Sequence, residues 1–532
     1  MLPDELIASI LVYVPSRDLL KYLKFSNRFF GRILYKYGKL FSIDLNGSII
    51  SDSDLYLLRG VGGPLHKIDL SNCNIIDAEL KYLRRVHTIN LARCDRITDA
   101  GLAFLMGVRA INLTNCVWIT DAGLEHLQGV HTIDLSCCYD ITDAGLKYLR
   151  GVHTIDLSYC NKITDAGLKY LRGVHTIDLM DCDEITDAGL EHLKGAHTVK
   201  LMDCEWLTDA GLVWIRGVHT IDLSWCSEIT DKGLANLQGV HTVHLFGCKQ
   251  ITDAGLVWIR GAHTVDLSDC QHITDKGLEN FQGVHTVKLY NCGITDAGLK
   301  HLKGVHKIYL SSCQQITDAG LEHLKGVHTI DLSSCQRITD AGLVHLQGAH
   351  SVKLHWCEQI TDTGLVWMRG VYKIDLSNCP RITGAGLVHL QGTNTIYLSN
   401  TKVTDAGLAL IKGVHTIYLS NCRQITDAGL DHLEGVHTLN LSHCKQITDA
   451  GLACLQQVHT IYLPWCQITD TGLEHLKRVH TIDLSSCRKI TDAGLEHLKG
   501  VHTINLSGCN QITDAGLAHL QKVYKIDFNC GR

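Results

Sequence analysis

Two residue types with reactive side chains recur at a fixed interval along this chain. All 23 cysteines except Cys137 and Cys454 fall in one register, spaced 21 or 22 residues apart as in Cys138 and Cys160. Histidines such as His131 repeat at the same interval. Thiolates and imidazoles are the ligands that zinc prefers, and thiols can also pair as disulfides. The chemistry to consider is therefore a metal site, a disulfide framework, or simple packing.

One cysteine per structural unit favours packing. A zinc site needs ligand pairs that converge on one point, whereas a periodic row sends parallel side chains from successive units. His131 lies seven residues before Cys138, across a predicted strand. We therefore expect a small apolar thiol that fills the turn where each strand ends and donates weakly to a neighbouring carbonyl. Thiols of this kind fit a reducing cytosol or nucleus.

The histidines form a second row just before each predicted strand. At the strand spacing of about 4.8 Å, the rings cannot all be protonated without strong mutual repulsion. The sequence predicts a structural role for this row, and a pH-sensitive solenoid remains the alternative.

The elements that carry both rows come from one repeated unit, exemplified by residues 130–151, VHTIDLSCCYDITDAGLKYLRG. Ile133 and Leu135 alternate with polar residues, which is typical of a strand with one buried face. Thr142 can then cap a helix with Asp143 in its first turn. Neither element buries its apolar side alone, so the units must stack.

The unit fits the pattern L-x-x-L-x-L-x-x-N/C-x-L, and the segment Ile141 to Leu146 reads I-T-D-A-G-L. In both respects it resembles the cysteine-containing leucine-rich repeats. We therefore predict an α/β fold: a leucine-rich-repeat solenoid over residues 41–532 with about 22 units of 21–22 residues. Within this range, a weaker unit from Phe41 to Gly60 precedes the regular units. The parallel sheet would line the concave face and helices the convex face.

Composition limits the classes of partner. The formal net charge of -6 gives no reason to expect nucleic acid. No window approaches the roughly 20 apolar residues of a membrane span. The start carries Asp4 and Glu5 where a signal peptide would be basic. These features predict a soluble cytoplasmic or nuclear protein, in the host cytoplasm if the source is a virus or bacterium, and no cofactor.

Residues 1–40 do not follow the repeat and read as three short helices, the first stopped by Pro15. They contain the segments Leu2-Pro3-Asp4-Glu5-Leu6, Ile10-Leu11, Val14-Pro15 and Asp18-Leu19-Leu20. These segments resemble the F-box, through which substrate receptors dock on the Skp-type adaptor of cullin-RING ubiquitin ligases. The resemblance implies an F-box-like helical domain over residues 1–40, with these adaptor-binding residues: Leu2, Pro3, Glu5, Leu6, Ile10, Leu11, Asp18, Leu19 and Leu20.

An F-box followed by leucine-rich repeats implies a substrate-recognition subunit that is not itself an enzyme. Its partners would be the Skp-type adaptor, the cullin complex and an unknown target protein, with the chain a monomer within that complex. The N-terminal helices can also serve as a cap on the first repeat, and both roles are compatible. Two other readings stay open: a protein-binding scaffold with no ubiquitin role, and a hydrolase or metal protein built on the periodic rows.

Target binding is expected on the exposed strand residues. From Asp178 to Asp375, the position of Asp134 largely alternates between acid and base, which predicts that cations such as Lys200 lie between two carboxylates. The position two residues later is mainly Ser, so exposed aromatic residues there suggest protein-binding anchors. Scattered surface variation among duplicated units is the alternative. The predicted target-binding group is Lys200, Met202, Trp225, His244, Phe246, Lys288 and Tyr290.

Overall fold

The computed structural model describes residues 42–47, 50, 55–56, 66–520, 523 and 525–528. The predicted F-box-like domain over residues 1–40 lies outside the described residues. The chain forms two compact units, Met1–Ala262 and His263–Arg532. Each is described by itself.

The described part of the first unit contains ten three-residue strands, and each pairs in parallel with the next along the chain. The weak unit that was predicted to begin at Phe41 does supply a strand, β1. The strands are β1 (Ser42–Asp44), β2 (Lys67–Asp69), β3 (Thr88–Asn90), β4 (Ala110–Asn112), β5 (Thr132–Asp134), β6 (Thr154–Asp156), β7 (Thr176–Asp178), β8 (Thr198–Lys200), β9 (Thr220–Asp222) and β10 (Thr242–His244).

The described part of the second unit contains thirteen strands with the same parallel pairing. They are β11 (Thr264–Asp266), β12 (Thr286–Lys288), β13 (Lys307–Tyr309), β14 (Thr329–Asp331), β15 (Ser351–Lys353), β16 (Lys373–Asp375), β17 (Thr395–Tyr397), β18 (Thr416–Tyr418), β19 (Thr438–Asn440), β20 (Thr460–Tyr462), β21 (Thr481–Asp483), β22 (Thr503–Asn505) and β23 (Lys525–Asp527).

Between strands the chain makes one short helical segment per repeat. Thr142 caps such a helix as predicted, because its side chain accepts a hydrogen bond from the Ala144 backbone N–H. The α-helices are single turns: α1 (Asp99–Leu102), α2 (Asp121–Leu124), α3 (Asp143–Leu146), α4 (Asp165–Leu168), α5 (Asp231–Leu234), α6 (Asp296–Leu299), α7 (Asp318–Leu321), α8 (Asp405–Leu408), α9 (Asp427–Leu430), α10 (Asp470–Leu473), α11 (Asp492–Leu495) and α12 (Asp514–Leu517).

Most of these turns continue as 3-10 helix, and several repeats have only 3-10 helix. A unit of 21–22 residues leaves too little chain for a longer helix, so the segments are shorter than ordinary helices. The 3-10 segments are Asp77–Leu83, Ala103–Leu105, Glu125–Leu127, Lys147–Leu149, Lys169–Leu171, Gly189–Leu193, Gly211–Val213, Ala235–Leu237, Gly255–Ile259, Gly277–Phe281, Lys300–Leu302, Glu322–Leu324, Gly342–Leu346, Gly364–Met368, Ala385–Leu390, Asp431–Leu433, Ala450–Leu455, Glu474–Leu476, Glu496–Leu498 and Ala518–Leu520.

The core lies between strands and helical segments. Ile133, Leu135, Cys138 and Leu146 are all at most 1% exposed, and most of the described repeats bury the equivalent residues. Because every repeat covers its neighbours' apolar side chains, the fold is a solenoid whose core runs the length of each unit.

An aspartate in each regular repeat also ties it to the next. Asp143 Oδ1 accepts from the backbone N–H of Thr164 at 2.8 Å, and Asp143 Oδ2 accepts from the Thr164 hydroxyl at 2.6 Å. A Cβ on Gly167 would lie 2.3 Å from Asp143 Oδ1, so glycine makes room for the carboxylate. The recurring T-D-x-G therefore forms a clamp between repeats, in addition to the helix cap that the sequence predicted.

Candidate protein-binding surface

Many outward polar residues of the strands hydrogen-bond to residues in the turns that follow them. Asp134 Oδ1 accepts from the backbone N–H of Ser136 at 3.0 Å and from its hydroxyl at 2.7 Å. Asp156 and Ser158 repeat these bonds one unit later. Each carboxylate thus holds the turn that follows its own strand. A surface built in this way needs no ligand, so departures from it are informative.

The lysines in the Asp134 row are ion-paired. Lys200 Nζ lies 2.8 Å from Asp178 Oδ2, and Lys288 and Lys353 make the same contact with the aspartate of the preceding strand at 3.1 and 3.4 Å. The hydrogen bond to Asp178 raises the pKa of Lys200 above its ordinary value.

The predicted position of Lys200 between two carboxylates is confirmed by strand register, which aligns it with Asp178 on one side and Asp222 on the other. Among the described ion pairs, however, Lys200 contacts Asp178 alone. Lys200 and Lys288 are therefore neutralised within the sheet and serve the surface chiefly as part of its polar network.

Trp225 and Phe246 form an aromatic pair on this face. Their ring centroids are 4.9 Å apart at an interplanar angle of 74°, an edge-to-face contact. Trp225 is 40% exposed and Phe246 is half-buried. The Trp225 backbone N–H donates to the Phe246 carbonyl at 2.7 Å, so the two turns are also joined through the main chain.

Gly247 completes this contact. Its φ of +70° suits glycine, and a Cβ there would lie 2.5 Å from the Trp225 ring. Trp225 itself has a φ of +64°, a conformation that costs a residue with a side chain of order 1 kcal/mol. The Trp225 ring, the Phe246 ring and the bare Gly247 backbone therefore make one preformed aromatic surface.

The other predicted residues lie in two places. Met202 and His244 are half-buried on strands or turns adjoining Trp225 and Phe246 in the first unit. Lys288 and Tyr290 belong to the second unit, where Tyr290 is 44% exposed. The described contacts thus join Trp225 to Phe246, whereas Lys200 and Lys288 contact aspartates. The nine predicted adaptor-binding residues lie outside the described part of the chain.

Sequence reasoning missed a second aromatic feature. The Tyr397 and Tyr418 rings stack at 4.5 Å and 6°, and Lys373 Nζ lies 5.2 Å from the Tyr397 centroid. Both tyrosines occupy the Asp134 position in adjoining repeats. Following that row past Asp375 would have shown them as consecutive aromatic departures.

The periodic cysteines are buried and hydrogen-bonded. Cys138 Sγ donates to the carbonyl of Leu113 at 3.2 Å, as the packing interpretation predicted. Burial raises the pKa of Cys138 to about 12, so the thiol stays protonated and unreactive at neutral pH. Within the described residues the cysteines are not paired as disulfides, and no cluster of three potential ligands there could hold a metal ion.

The periodic histidines stack as expected. His131 and His153 lie 4.6 Å apart at 11°, and His153 and His175 lie 4.5 Å apart at 12°. In most of these repeats the histidine Nδ1 contacts the hydroxyl of a threonine that follows it, as at 3.2 Å in His153 and Thr154. Parallel stacked rings do not point their free nitrogens at a common centre, so this row serves packing rather than chelation.

Comparisons with known proteins agree with this architecture. A family model described as Leucine Rich repeat matches residues 152–171, 174–194, 218–237, 263–281, 327–346, 436–455, 479–499 and 501–520. The chain is a leucine-rich-repeat solenoid. A comparison with curated proteins gave no match.

A comparison with solved structures also gave matches. The chain matches a structure of the TLR13–ssRNA13 complex at 13% identity and a TM-score of 0.56, covering 92% of this chain and 81% of that one. It matches the mouse RP105/MD-1 complex at 13% identity and a TM-score of 0.49, covering 90% and 91%. An internalin from Listeria monocytogenes matches at 19% identity and a TM-score of 0.43, covering 61% and 89%. At 13% identity, the likeness to the TLR13–ssRNA13 structure supports the fold alone.

The leucine-rich-repeat fold and its exposed strand face make this chain a scaffold for protein binding. Within the described ranges, none of the helices has the length and apolar character that crossing a membrane requires.

Proposed function

We propose that this protein is the substrate-recognition subunit of a cullin-RING E3 ubiquitin ligase. Residues 1–40 would dock on the Skp-type adaptor, and the exposed strand face of the solenoid would hold the target protein. The chain would supply proximity to the ubiquitin-charged enzyme rather than catalytic groups of its own. The proposal includes a cytoplasmic or nuclear location, which suits a chain with so many free thiols.

The observation that carries target binding is the aromatic surface of Trp225, Phe246 and Gly247. Large aromatic side chains that are half-exposed and already ordered are typical of binding hot spots. The surrounding Asp–Ser network offers few other apolar contacts. Met202 and His244 would form the border of this surface.

The adaptor half of the proposal rests on the F-box-like residues quoted from the sequence. The decisive experiment is a pulldown of the full-length protein with a Skp-type adaptor. We expect capture, and we expect Leu6→Asp with Leu19→Asp to abolish it. A protein that captures its target but never the adaptor would instead be a plain scaffold.

Target capture is tested separately. Trp225→Ala with Phe246→Ala should weaken binding of a captured target about 30-fold or more, because hot-spot truncations cost roughly 2 kcal/mol or more. Trp214→Ala with Trp258→Ala is the matched control, since both are exposed tryptophans at or next to helical segments rather than on the strand face. Equal loss in both double variants would refute the assignment of the aromatic surface.

A further inference from the structure

The turns that follow the strands carry unequal charge along the chain. In the second unit, residues 399–402, 420–424, 442–446, 464–467 and 485–489 contain five cations and no Asp or Glu. We name these cations the basic rim: Lys402, Arg423, Lys445, Arg488 and Lys489. The corresponding turns of the first unit at 180–184 and 202–205 contain only acidic charges. These five consecutive turns of the second unit therefore form a stretch in which every charged residue is a cation.

The basic rim differs from the strand lysines in having no internal counter-ion. Lys288 and Lys353 lie within 3.4 Å of an aspartate carboxylate. Among the residues with described side chains, Arg423, Lys445 and Arg488 make no ion pair. Unpaired like charges on adjoining turns repel one another, and an anionic ligand would relieve that repulsion.

Part of the rim lines a cleft of about 660 Å³. Its walls come from three consecutive turns and are polar or cationic throughout: Asn400, Ser420, Asn421, Arg423, His443, Lys445 and Gln446. The amide groups and cations together offer many hydrogen-bond donors, which is the chemistry that recognises carboxylates.

The cleft also holds one of its cations in place. Asn421 Nδ2 donates to Asn400 Oδ1 at 2.6 Å, and Arg423 Nε donates to Asn421 Oδ1 at 3.3 Å. This chain of hydrogen bonds uses the Nε donor of Arg423 and leaves the outer edge of its guanidinium to a ligand. A guanidinium ordered in advance loses less entropy on binding a carboxylate.

Trp465 borders the cleft through His443. The His443 and Trp465 rings stack at 5.7 Å and 12°, and the Arg488 guanidinium lies 5.5 Å from the Trp465 centroid. Trp465 is 45% exposed. Its ring extends the ordered cationic surface from the cleft to Arg488.

We propose that the basic rim binds an acidic segment, rich in Asp and Glu, of a partner protein. The cations are spread over successive turns rather than gathered around one point. That spacing suits several carboxylates along an extended segment better than a single phosphate group. The site lies wholly within the second unit and does not depend on Trp225, Phe246 or an adaptor.

The test is a fluorescence anisotropy titration of the full-length protein with a short labelled peptide of alternating Glu and Gly. The matched peptide carries Gln in place of Glu. We expect saturable binding of the Glu peptide that weakens as salt is added, and no binding of the Gln peptide. Equal binding of both peptides would overturn the proposal.

Variants locate the site. Arg423→Ala with Lys445→Ala should weaken the Glu peptide about tenfold or more. Lys477→Ala with Lys499→Ala removes the same charge from the same unit, but these lysines already pair with Glu474 and Glu496 at 3.1 and 2.7 Å. This control should bind within about twofold of the wild type. Equal weakening in both double variants would show non-specific attraction and overturn the site.

Competition and sedimentation experiments distinguish other occupants of the basic rim. Inorganic phosphate, single-stranded RNA and unlabelled Glu peptide are each added to displace the labelled Glu peptide. If phosphate or RNA displaces it at a lower concentration than the unlabelled Glu peptide does, the ligand carries phosphate and the proposal is overturned. The acidic turns of a second copy of this chain are an alternative occupant. Sedimentation of the protein alone tests for this self-association. Self-association that Arg423→Ala with Lys445→Ala abolishes would likewise overturn it. The proposal is supported if only the unlabelled Glu peptide displaces the labelled Glu peptide.

Discussion

Two stretches of the solenoid are built from the same repeat, yet one is regular and the other is interrupted. In the first unit, β5 to β7 are joined by a complete set of polar contacts, such as the Asp143 clamp on Thr164 and the Cys160 thiol on the Leu135 carbonyl. In the second unit, the stretch around β17 departs from the pattern at several positions, including Gly384, Thr393, Asn394 and Thr401.

Three of these departures change the polar contacts. Gly384 stands where other repeats have the clamp aspartate, and the Thr404 backbone N–H donates to the Thr383 carbonyl at 3.2 Å instead. Thr401 replaces cysteine and donates to the carbonyl of its own repeat, Leu398, at 2.6 Å rather than to the preceding one. Thr393 replaces a core valine, is 1% exposed, and its hydroxyl has no hydrogen-bond partner.

The strands nevertheless keep their register through the interruption. Ile374 aligns with Ile396, and Ile396 aligns with Ile417, and all three side chains are fully buried. The apolar core and the main-chain ladder therefore determine how repeats stack. The polar rows between repeats adjust how strongly neighbouring repeats hold together.

The largest expected effect comes from removing a clamp in the regular stretch. Asp143→Ala deletes two hydrogen bonds to Thr164 and leaves space beside Gly167, so we expect a loss of about 1–3 kcal/mol. Hydrogen exchange of the peptides that cover α3, α4 and β6 should rise. Asp140→Ala is the control, because its carboxylate contacts only exposed Lys162 and should matter by less than about 0.5 kcal/mol. Unchanged exchange in Asp143→Ala would contradict the clamp.

A smaller gain is expected from repairing the interrupted stretch. Thr393→Val removes a buried hydroxyl without a partner and should stabilise this region by about 1–2 kcal/mol. Local exchange around β17 and the midpoint of urea unfolding measure the gain. The reciprocal change, Val371→Thr in the adjoining repeat, should destabilise by a similar amount. A neutral or destabilising Thr393→Val would show that the hydroxyl finds a partner in solution.

The smallest effect per residue is expected from acid. Desolvation within the stack and the charges of neighbouring imidazoles hold the pKa of His153 and of His197 below the ordinary value of about 6.5. The fold thus favours their neutral forms. Stability should be complete above about pH 6.5 and should fall as the pH drops through the lower folded pKa values.

Protection of the backbone amides against hydrogen exchange, corrected for the intrinsic exchange rate at each pH, would measure this loss of stability across β6 to β8. The interrupted stretch gives the contrast, because Asn394 breaks the imidazole row there. His175→Asn, which copies that break, should make the decline in the first unit shallower. Protection that stays constant from neutral to mildly acidic pH would contradict the stacking argument.

Much of this architecture follows from the sequence because the repeat is short and nearly invariant. The alternation of Ile133 and Leu135 with polar residues predicted a strand with one buried face, and Thr142 was predicted to cap a helix. The recurring cysteine, such as Cys138, was predicted to pack in the turn after the strand. All three predictions are confirmed. Because each repeat packs against near-copies of itself, the sequence of one repeat also indicates which residues its neighbours present.

Contacts between repeats could not be predicted in the same way. Asp143 was expected to stabilise its own helix, and only the structure places its carboxylate against the next repeat. The contact of Trp225 with Phe246 and Gly247 depends on a left-handed backbone and on glycine next to an aromatic ring. The target-binding group and the adaptor-binding residues remain predictions for the experiments above.

By itself, the sequence determined the class of fold, the length of the repeat and which side chains are buried. Periodicity of apolar residues sets those features, since burial depends on which face a residue occupies. The tertiary structure alone decided which polar atoms meet across repeats: the aspartate clamp, the ion pairs to preceding strands and the cleft of the basic rim. Hydrogen bonds and ion pairs require distances of about 3 Å, and spacing along the chain does not specify distances between neighbouring turns.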